Sequence, residues 1–460
     1  MKIIYTIVSL SMIFVLCTSS AQKYVIGYYP GWYGVTFPAS ALKYNYLTHI
    51  NHAFAYPDAE GNLKINAAYK IPDAVLVAAA HTANVKVSLS LGGAAESGNF
   101  PGVVADSLKR AKFIADIIDF LYANNYDGVD LDWEGPANVT QKNNLTKFVI
   151  ELDSALYKQN PDWLLTLAVG ATNWSGQWHD YAVLKQHIDW FNIMTYDFHG
   201  SWSHSGHNSP LYSPTGSVCF DGSIKASMDY HVTTRGIPKN QIVVGMPFYG
   251  YRFECAAGQY GLYKAITKAE QLTYVDILSR LTHGTRVWDD VTKNPYITFT
   301  PPVLISYDDS LSISLKCQFS KENDLAGVMI WALGQDAVSL LNQPLLEAVG
   351  KVMFSGSNIV RDHAQGIPQT YSLSNNFPNP FNPTTTIYFS IPSGNANSGT
   401  HVRITICDLL GRNVTSLVNE EKTPGNYSVQ WNADSFSSGT YLCRLESAFG
   451  VRTKTMILLK

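Results

Sequence analysis

The chain has 460 residues, of which 46% are hydrophobic and 15% charged; that is enough for two or three domains with filled cores and excludes a disordered coil. A formal net charge of -3 removes any electrostatic case for nucleic acid or an anionic membrane surface. Aromatic residues are abundant, with 27 Tyr, 20 Phe and 10 Trp, and those not needed in cores suit stacking on flat neutral ligands such as sugar rings.

Met1-Lys2, an apolar run over 3–16 and the small residues Thr18-Ser19-Ser20-Ala21 predict a secretory signal peptide over 1–21. Cys17 invites a lipoprotein reading, but Leu16 is bulky where such a site wants a small residue. No later apolar run has the length of a membrane span, so none is expected in the mature chain. Apolar, β-rich runs follow at 24–29, 47–56, 85–91, 128–133, 164–169, 190–196, 242–249 and 327–333, with amphipathic stretches at 107–124, 144–159 and 223–235 among them. Eight buried strands alternating with helices predict an α/β fold, a (β/α)8 barrel over 22–352. The long gap between the seventh and eighth runs predicts a small α+β insertion at about 251–310. A linker over 353–370 precedes short alternating strands at 385–391, 402–408, 426–431, 440–446 and 453–458, with Gly411, Gly425 and Gly439 at turns. These predict an Ig-like β-sandwich over 371–460.

After the leader, five cysteines remain: Cys219, Cys255, Cys317, Cys407 and Cys443. An odd number leaves at least one thiol free or paired between chains. Cys407 with Cys443, or Cys219 with Cys255, are candidate disulfides, and the absence of a CxxC spacing argues against zinc.

The most informative stretch is 127–134, Asp-Gly-Val-Asp-Leu-Asp-Trp-Glu. Acid and apolar residues alternate, which is a strand pattern. Asp130, Asp132 and Glu134 then line one face at roughly 6.6 Å steps, while Val129, Leu131 and Trp133 pack under helices on the other. Like charges at that spacing raise at least one pKa, and a carboxyl that keeps its proton near neutrality is suited to general acid catalysis. A calcium loop would need an internal Gly and loop-spaced oxygens that this stretch lacks. Glu134 ends its strand pattern, where a (β/α)8 barrel places chemistry. Asp127 reads as the anchor of the strand's first turn.

The octet has the DxxDxDxE form and resembles glycoside hydrolase family 18, the family of many chitinases. Four more motifs in order are similar to the same family: Ser90-Leu91-Gly92-Gly93, Met194-Thr195-Tyr196-Asp197-Phe198-His199-Gly200-Ser201-Trp202, Gly245-Met246-Pro247-Phe248-Tyr249-Gly250 and Gly327-Val328-Met329-Ile330-Trp331-Ala332. The resemblance covers 23–350. It implies a retaining hydrolase of β-1,4-linked N-acetylglucosamine polymers in which the substrate's own 2-acetamido group attacks the anomeric carbon. Glu134 is the implied general acid/base. Asp132 would bind the acetamido N–H, Asp130 would share a proton with Asp132, and the Tyr196 hydroxyl would fix the acetamido carbonyl. Asp197 and Trp331 are the implied sugar contact and hydrophobic floor, with Met194, Tyr28, Ser90, Gly92, Gly93 and Tyr249 completing the substrate-binding set. Tyr28 and Ser90 are also placed to support the acids, and His199 is expected to support the site rather than act as a base. No cofactor or metal is implied.

Two positions depart from the family's pattern. Ala94 stands where many relatives place Trp, and Tyr251 stands where many place Arg, with Arg252 following. These changes bear on aglycone binding and processivity, and with the short insertion they point to endo or non-processive action. The alternatives are an endo-β-N-acetylglucosaminidase on N-glycans, against which His199–Trp202 and the insertion argue, and a non-catalytic chitin-binding lectin, against which the retained acids argue.

Residues from about 371 resemble the C-terminal sorting domain of the type IX secretion system. The likeness rests on Phe377-Pro378-Asn379-Pro380-Phe381-Asn382-Pro383, Asp408-Leu409-Leu410-Gly411, the 425–431 strand, Ser438-Gly439-Thr440-Tyr441 and the basic end 454–460. It implies that the type IX machinery is a partner through 371–460. The enzyme would then be secreted or attached to the outer cell surface of a bacterium. A sugar-binding module is the alternative reading of this fold.

Overall fold

The computed structural model describes residues 23–355, except 35, 216–221 and 341, and residues 371–459, except 374–375, 377–378 and 393–398. The signal-peptide segment, Cys17, Cys219 and nearly all of the expected linker lie outside the described residues. The chain divides into two compact units at Gly356 and Ser357.

Eight parallel strands close the barrel of the first unit. They are β1 (Tyr24–Pro30), β2 (His49–Pro57), β3 (Lys86–Gly92), β4 (Gly128–Asp132), β5 (Leu164–Gly170), β6 (Trp190–Met194), β7 (Ile242–Pro247) and β8 (Gly327–Trp331). Each pairs with its neighbours in chain order, and β1 pairs with both β2 and β8, which completes the ring. The (β/α)8 barrel expected from the sequence is therefore present. Residues facing outward from the strands, such as Val129, Leu131, Leu167 and Ile193, are fully buried with Phe113, Leu145 and Phe148 of the surrounding helices. At about 25 cal/mol per Å² of apolar surface removed from water, this layer between sheet and helices supplies the main stabilisation.

Helices start where the sequence provides caps. Asp106 accepts from the Leu108 and Lys109 amides ahead of Ser107–Asn124, and Asn138 accepts from the Gln141 amide ahead of Val139–Gln159. That second helix begins five residues before the expected amphipathic stretch. Its first turn is polar, so the apolar periodicity starts only inside it.

The expected seventh strand breaks in two. β7 ends at Pro247, Phe248 carries the bend, and Tyr249–Cys255 leaves the barrel as an inner strand of a five-stranded antiparallel sheet. This sheet adds Ile266–Thr273, Thr285–Asp289, Asn294–Thr298 and Val303–Ser306, with helix Tyr274–Arg280 against it. The insertion is thus an α+β lobe that starts at Tyr249, ahead of the position read from the sequence. The alternation of Tyr249, Tyr251, Phe253 and Cys255 was absorbed into one apolar run with β7, which hid the change of direction.

The second unit is a pair of antiparallel sheets. One contains Ser372–Leu373, Thr384–Ile391 and Gly425–Asn432; the other contains Thr400–Cys407, Asn413–Lys422, Gly439–Ser447 and Gly450–Leu458. Phe389, Ile404, Trp431, Leu445 and Met456 fill the space between them. Asn413–Lys422 has no counterpart among the expected strands. It is an edge strand on which only Val418 is buried, so its sequence carries no alternating apolar signal.

The described cysteines Cys255, Cys317, Cys407 and Cys443 are all free thiols. Cys407 pairs with Leu442 and Ile406 pairs with Cys443. The two cysteines are one residue out of register on adjacent strands, so they leave opposite faces of the sheet and cannot bond as the sequence had allowed.

Candidate active site

The site is built on β4. Asp130 and Asp132 point into the barrel, and Glu134 follows just beyond the strand's end. Trp133 goes the other way and stacks on Phe100 at 5.6 Å and 16°. The lowest acid, Asp130, is completely buried. It lies in register with Ser90 on β3 and Thr166 on β5. Oδ2 accepts from the Tyr28 hydroxyl at 2.7 Å and the Ser90 hydroxyl at 2.8 Å; Oδ1 accepts from the Thr166 hydroxyl at 2.6 Å and Asn192 Nδ2 at 2.9 Å. Four strands thus each supply one neutral donor. Burial nevertheless holds the Asp130 pKa above its ordinary value. Tyr28 and Ser90 are buried and spend their hydroxyls on Asp130, so in this structure they support the acid.

Asp132 stands one step above. Its Oδ1 is buried with no hydrogen-bond partner. Burial, then the Glu134 and Asp130 carboxyls, drive its pKa well up. No hydrogen bond joins Asp130 to Asp132, because neutral donors already occupy both oxygens of Asp130.

Glu134 is open to water on one side while protein surrounds it on the others. Its backbone N–H donates to Ser97 Oγ at 3.2 Å, and Ser97 Oγ donates to the Gly93 carbonyl at 2.8 Å. Its pKa is raised to about 7, first by desolvation and then by Asp197. The two glycines of the Ser90-Leu91-Gly92-Gly93 motif give these acids room. Gly92 has φ +116, and a Cβ there would sit 2.4 Å from the Asp132 carbonyl oxygen; Gly93 has φ +79, and its Cβ would strike Phe54 at 2.5 Å.

The opposite wall comes from the end of β6. Met194 is half-buried and, like Tyr196 and Trp331, packs against the apolar cluster inside the barrel. The Tyr196 hydroxyl lies 3.9 Å from Met329 Sδ, and burial followed by the Asp132, Asp197 and Glu134 charges pushes its pKa well up, so it stays a neutral donor. Asp197 has φ +59, a left-handed backbone that Asp tolerates better than most residues. Its N–H donates to Asn208 Oδ1 at 3.0 Å. Its carboxylate is open to the cleft, and Oδ1 accepts from the Tyr249 hydroxyl at 2.6 Å and the Tyr251 hydroxyl at 3.1 Å. Desolvation outweighs both bonds and raises the Asp197 pKa. Tyr249 is buried, so it too acts by holding Asp197. His199 is buried beside His204, and burial lowers its pKa to about 3, which leaves it neutral and unfit as a base near neutrality.

The floor is aromatic. Trp331, at the end of β8, is stacked on Phe54 at 5.6 Å and 19° and lies edge-on to Tyr28 at 5.5 Å. Trp32, 37% exposed, continues the surface 6.5 Å from Trp331 and 5.1 Å from Tyr69. Among the described residues, no group of three or more His, Cys, Asp or Glu could hold a metal ion. Such a site can present one proton, one buried carboxylate oxygen without a partner and several phenols to a neutral ring lying on an indole.

Sequence reasoning did not find Thr166, Asn192, Phe54, Trp32 or Asn208. Thr166 and Asn192 did leave a signal. Each is a polar residue inside an apolar strand run, at an inward-facing parity. Trp32 and Asn208 lie outside regular strands, where no period constrains them.

Residues 24–336 match the model of glycosyl hydrolases family 18, and the chain belongs to that family. Residues 375–459 match the secretion system C-terminal sorting domain. Among curated relatives, chitinase A1 of Niallia circulans is 29% identical over 71% of this chain and 58% of its own length. Probable chitinase 2 of Drosophila melanogaster is 34% identical over 55% of this chain and 56% of its own length. The chain therefore spans somewhat more than half the length of these two. A solved structure of human YKL-39, described as a pseudo-chitinase with retained chitooligosaccharide binding properties, superimposes with a TM-score of 0.66 at 25% identity, covering 72% of this chain and 99% of that one.

Proposed function

We propose that the chain is a secreted chitinase that hydrolyses β-1,4-linked N-acetylglucosamine polymers with retention of configuration and with help from the substrate. The observation that carries this is the ladder on β4: a saturated Asp130, an Asp132 with one unpartnered buried oxygen and a Glu134 carboxyl held up to about 7. A sugar lying on Trp331 would place its glycosidic oxygen under the Glu134 proton. Proton transfer lets the C1–O bond break while the carbonyl oxygen of the 2-acetamido group attacks C1. Asp132 Oδ1 accepts from the acetamido N–H and balances the positive charge of the oxazolinium ion. The Tyr196 hydroxyl orients the same group, and Asp197 Oδ2, which no described donor reaches, is left for a sugar hydroxyl. Water, deprotonated by the now anionic Glu134, opens the intermediate from the face that the leaving group vacated, opposite the acetamido oxygen, and the configuration is retained. Membership of the family, the chitinase relatives and the sorting-domain match support this reading. The last also supports export to the outer surface or medium of a bacterium through the type IX machinery, with residues 371–460 as the signal.

Product analysis on chitohexaose tests the proposal. The intact chain should release short oligomers with initial β-configuration, and Glu134→Gln should lower kcat by about a hundred- to ten-thousand-fold. Binding without cleavage by the intact chain would make it a lectin. Cleavage of N-glycans but not of chitohexaose would identify an endo-β-N-acetylglucosaminidase.

A further inference from the structure

Asp197 is the only carboxylate of the site that donors from the lobe hold, and both of those donors are phenols. They come from the strand Tyr249–Cys255, whose odd positions Tyr249, Tyr251, Phe253 and Cys255 form one buried face with Leu304. Its even positions face the other way. Arg252 is on that other face, with Nη1 2.6 Å from Glu254 Oε1 and 3.9 Å from Glu270 Oε2. The strand's period of two therefore keeps the guanidinium away from Asp197, although Arg252 is the next residue in the chain. Tyr251 takes the inward place. It is 8% exposed, its hydroxyl reaches Asp197 Oδ1 at 3.1 Å, and its ring seats the exposed Trp202 edge-on at 6.1 Å.

We propose that Tyr251 is a positioning residue that holds Asp197 without neutralising it, and so sets how far into the neutral range Glu134 can serve as the acid. This rests on the reading of Glu134 as that acid. The groups facing the pair are Asp130 and Asp132 from β4, Tyr28 from β1, Tyr196 from the end of β6, and Tyr249 and Tyr251 from the lobe, with His199 buried and neutral behind. None is a cation, and none of the four acids makes an ion pair among the described residues. Burial and the Asp197 charge raise the Tyr251 pKa further, so it is neutral throughout the working range. A neutral donor fixes the Asp197 oxygen but leaves its negative charge to act on Glu134. A cation in the same place would fix the oxygen and cancel that charge.

The test is kcat/KM for chitohexaose against pH, measured on the full chain. Tyr251→Arg should move the alkaline limb down by about one pH unit, the size of effect an adjacent guanidinium has on a carboxyl. Tyr251→Phe should raise KM severalfold, leave kcat within about threefold, and leave the limb in place or move it up. Should Tyr251→Arg fail to fold, Tyr251→Lys carries the same charge and the same expectation. An alkaline limb that ignores the cation overturns the proposal, as does Tyr251→Phe moving it down equally, because any change at the position would then have sufficed. If Glu134→Gln keeps the parent kcat, the acid assignment itself has failed, and the proposal falls with it whatever the Tyr251 variants do.

Discussion

Two sets of buried acids in the same barrel have opposite solutions to the same cost. Asp308, where the chain leaves the lobe, is completely buried and pairs with the equally buried Lys316, with Ser312 Oγ at 2.6 Å on the same oxygen. Asp130 and Asp132 are just as buried, yet they have neutral donors or nothing. Taking a carboxylate out of water costs several kcal/mol unless a charge or a set of hydrogen bonds offsets it. At Asp308 a cation supplies much of the offset, although desolvation still raises the carboxyl's pKa and Oδ2 has no hydrogen-bond partner. At β4 no cation is supplied among the described residues, and for Asp132 the neighbouring carboxyls add to burial in driving the pKa up. The difference teaches where to look for function among buried charges: a cation partner marks an acid held within the architecture, and a cluster of acids without one marks the candidate site.

The comparison can be broken from either side. The largest effect is expected at the paired site. Lys316→Met leaves Asp308 buried without its cation and should cost about 3–5 kcal/mol in denaturant unfolding, most of which the added change Asp308→Asn should restore. If the double variant is no better than the single one, the pair is not a self-contained unit. At the unpaired site, Asp132→Asn should cost activity and not stability. A hundredfold fall in kcat, about 2.7 kcal/mol of barrier, is expected with an unfolding midpoint equal to or above that of the parent. A fall in stability instead would place Asp132 among structural acids.

The smallest effect concerns pH. A carboxyl whose pKa is raised on folding contributes stability that is present below its unfolded value and lost as pH rises through the folded value. Glu134 is raised to about 7 from 4.5, so ionising it costs the folded state over that window. Glu134→Gln should therefore raise the melting temperature by about 1–2 °C near pH 8 and leave it unchanged near pH 4.5, a small figure because the carboxyl is open to solvent. An equal gain at both pH values would refute the electrostatic origin.

Much of this was legible in the sequence because strands impose a period. The alternation in 127–134 placed Asp130, Asp132 and Glu134 on one face before any coordinates, and the eight apolar runs gave the barrel. The parts that were not legible depend on contacts between distant strands or on irregular backbone. The four donors on Asp130 come from strands as far apart in sequence as β1 and β6. The inward turn of Asp197 depends on a left-handed residue that no pattern marks. The cis peptides at Ala53–Phe54 and Trp331–Ala332 left no trace in composition either. The Asn413–Lys422 edge strand was missed for another reason: its apolar residues Val414, Leu417 and Val418 do not alternate, and only Val418 is buried.

The segment Ser205–Ser209 has a consequence for how this fold can be altered. Every residue in it is buried, and it is bonded on both sides. Ser205 donates to the Gly261 carbonyl and exchanges hydrogen bonds with Lys264, His207 reaches Asp289 and Ser306, and Asn208 joins Ser306 and Tyr249 to the Asp197 amide, while Ser209 donates to the Thr195 carbonyl. The lobe is consequently not a cassette. Cutting out 249–306 would orphan buried polar groups along this segment and loosen the corner that carries Tyr196 and Asp197. Anyone who wishes to deepen or shorten the cleft must work on the lobe's outer turns, such as 257–259 and 281–284, and leave its seam with the barrel intact.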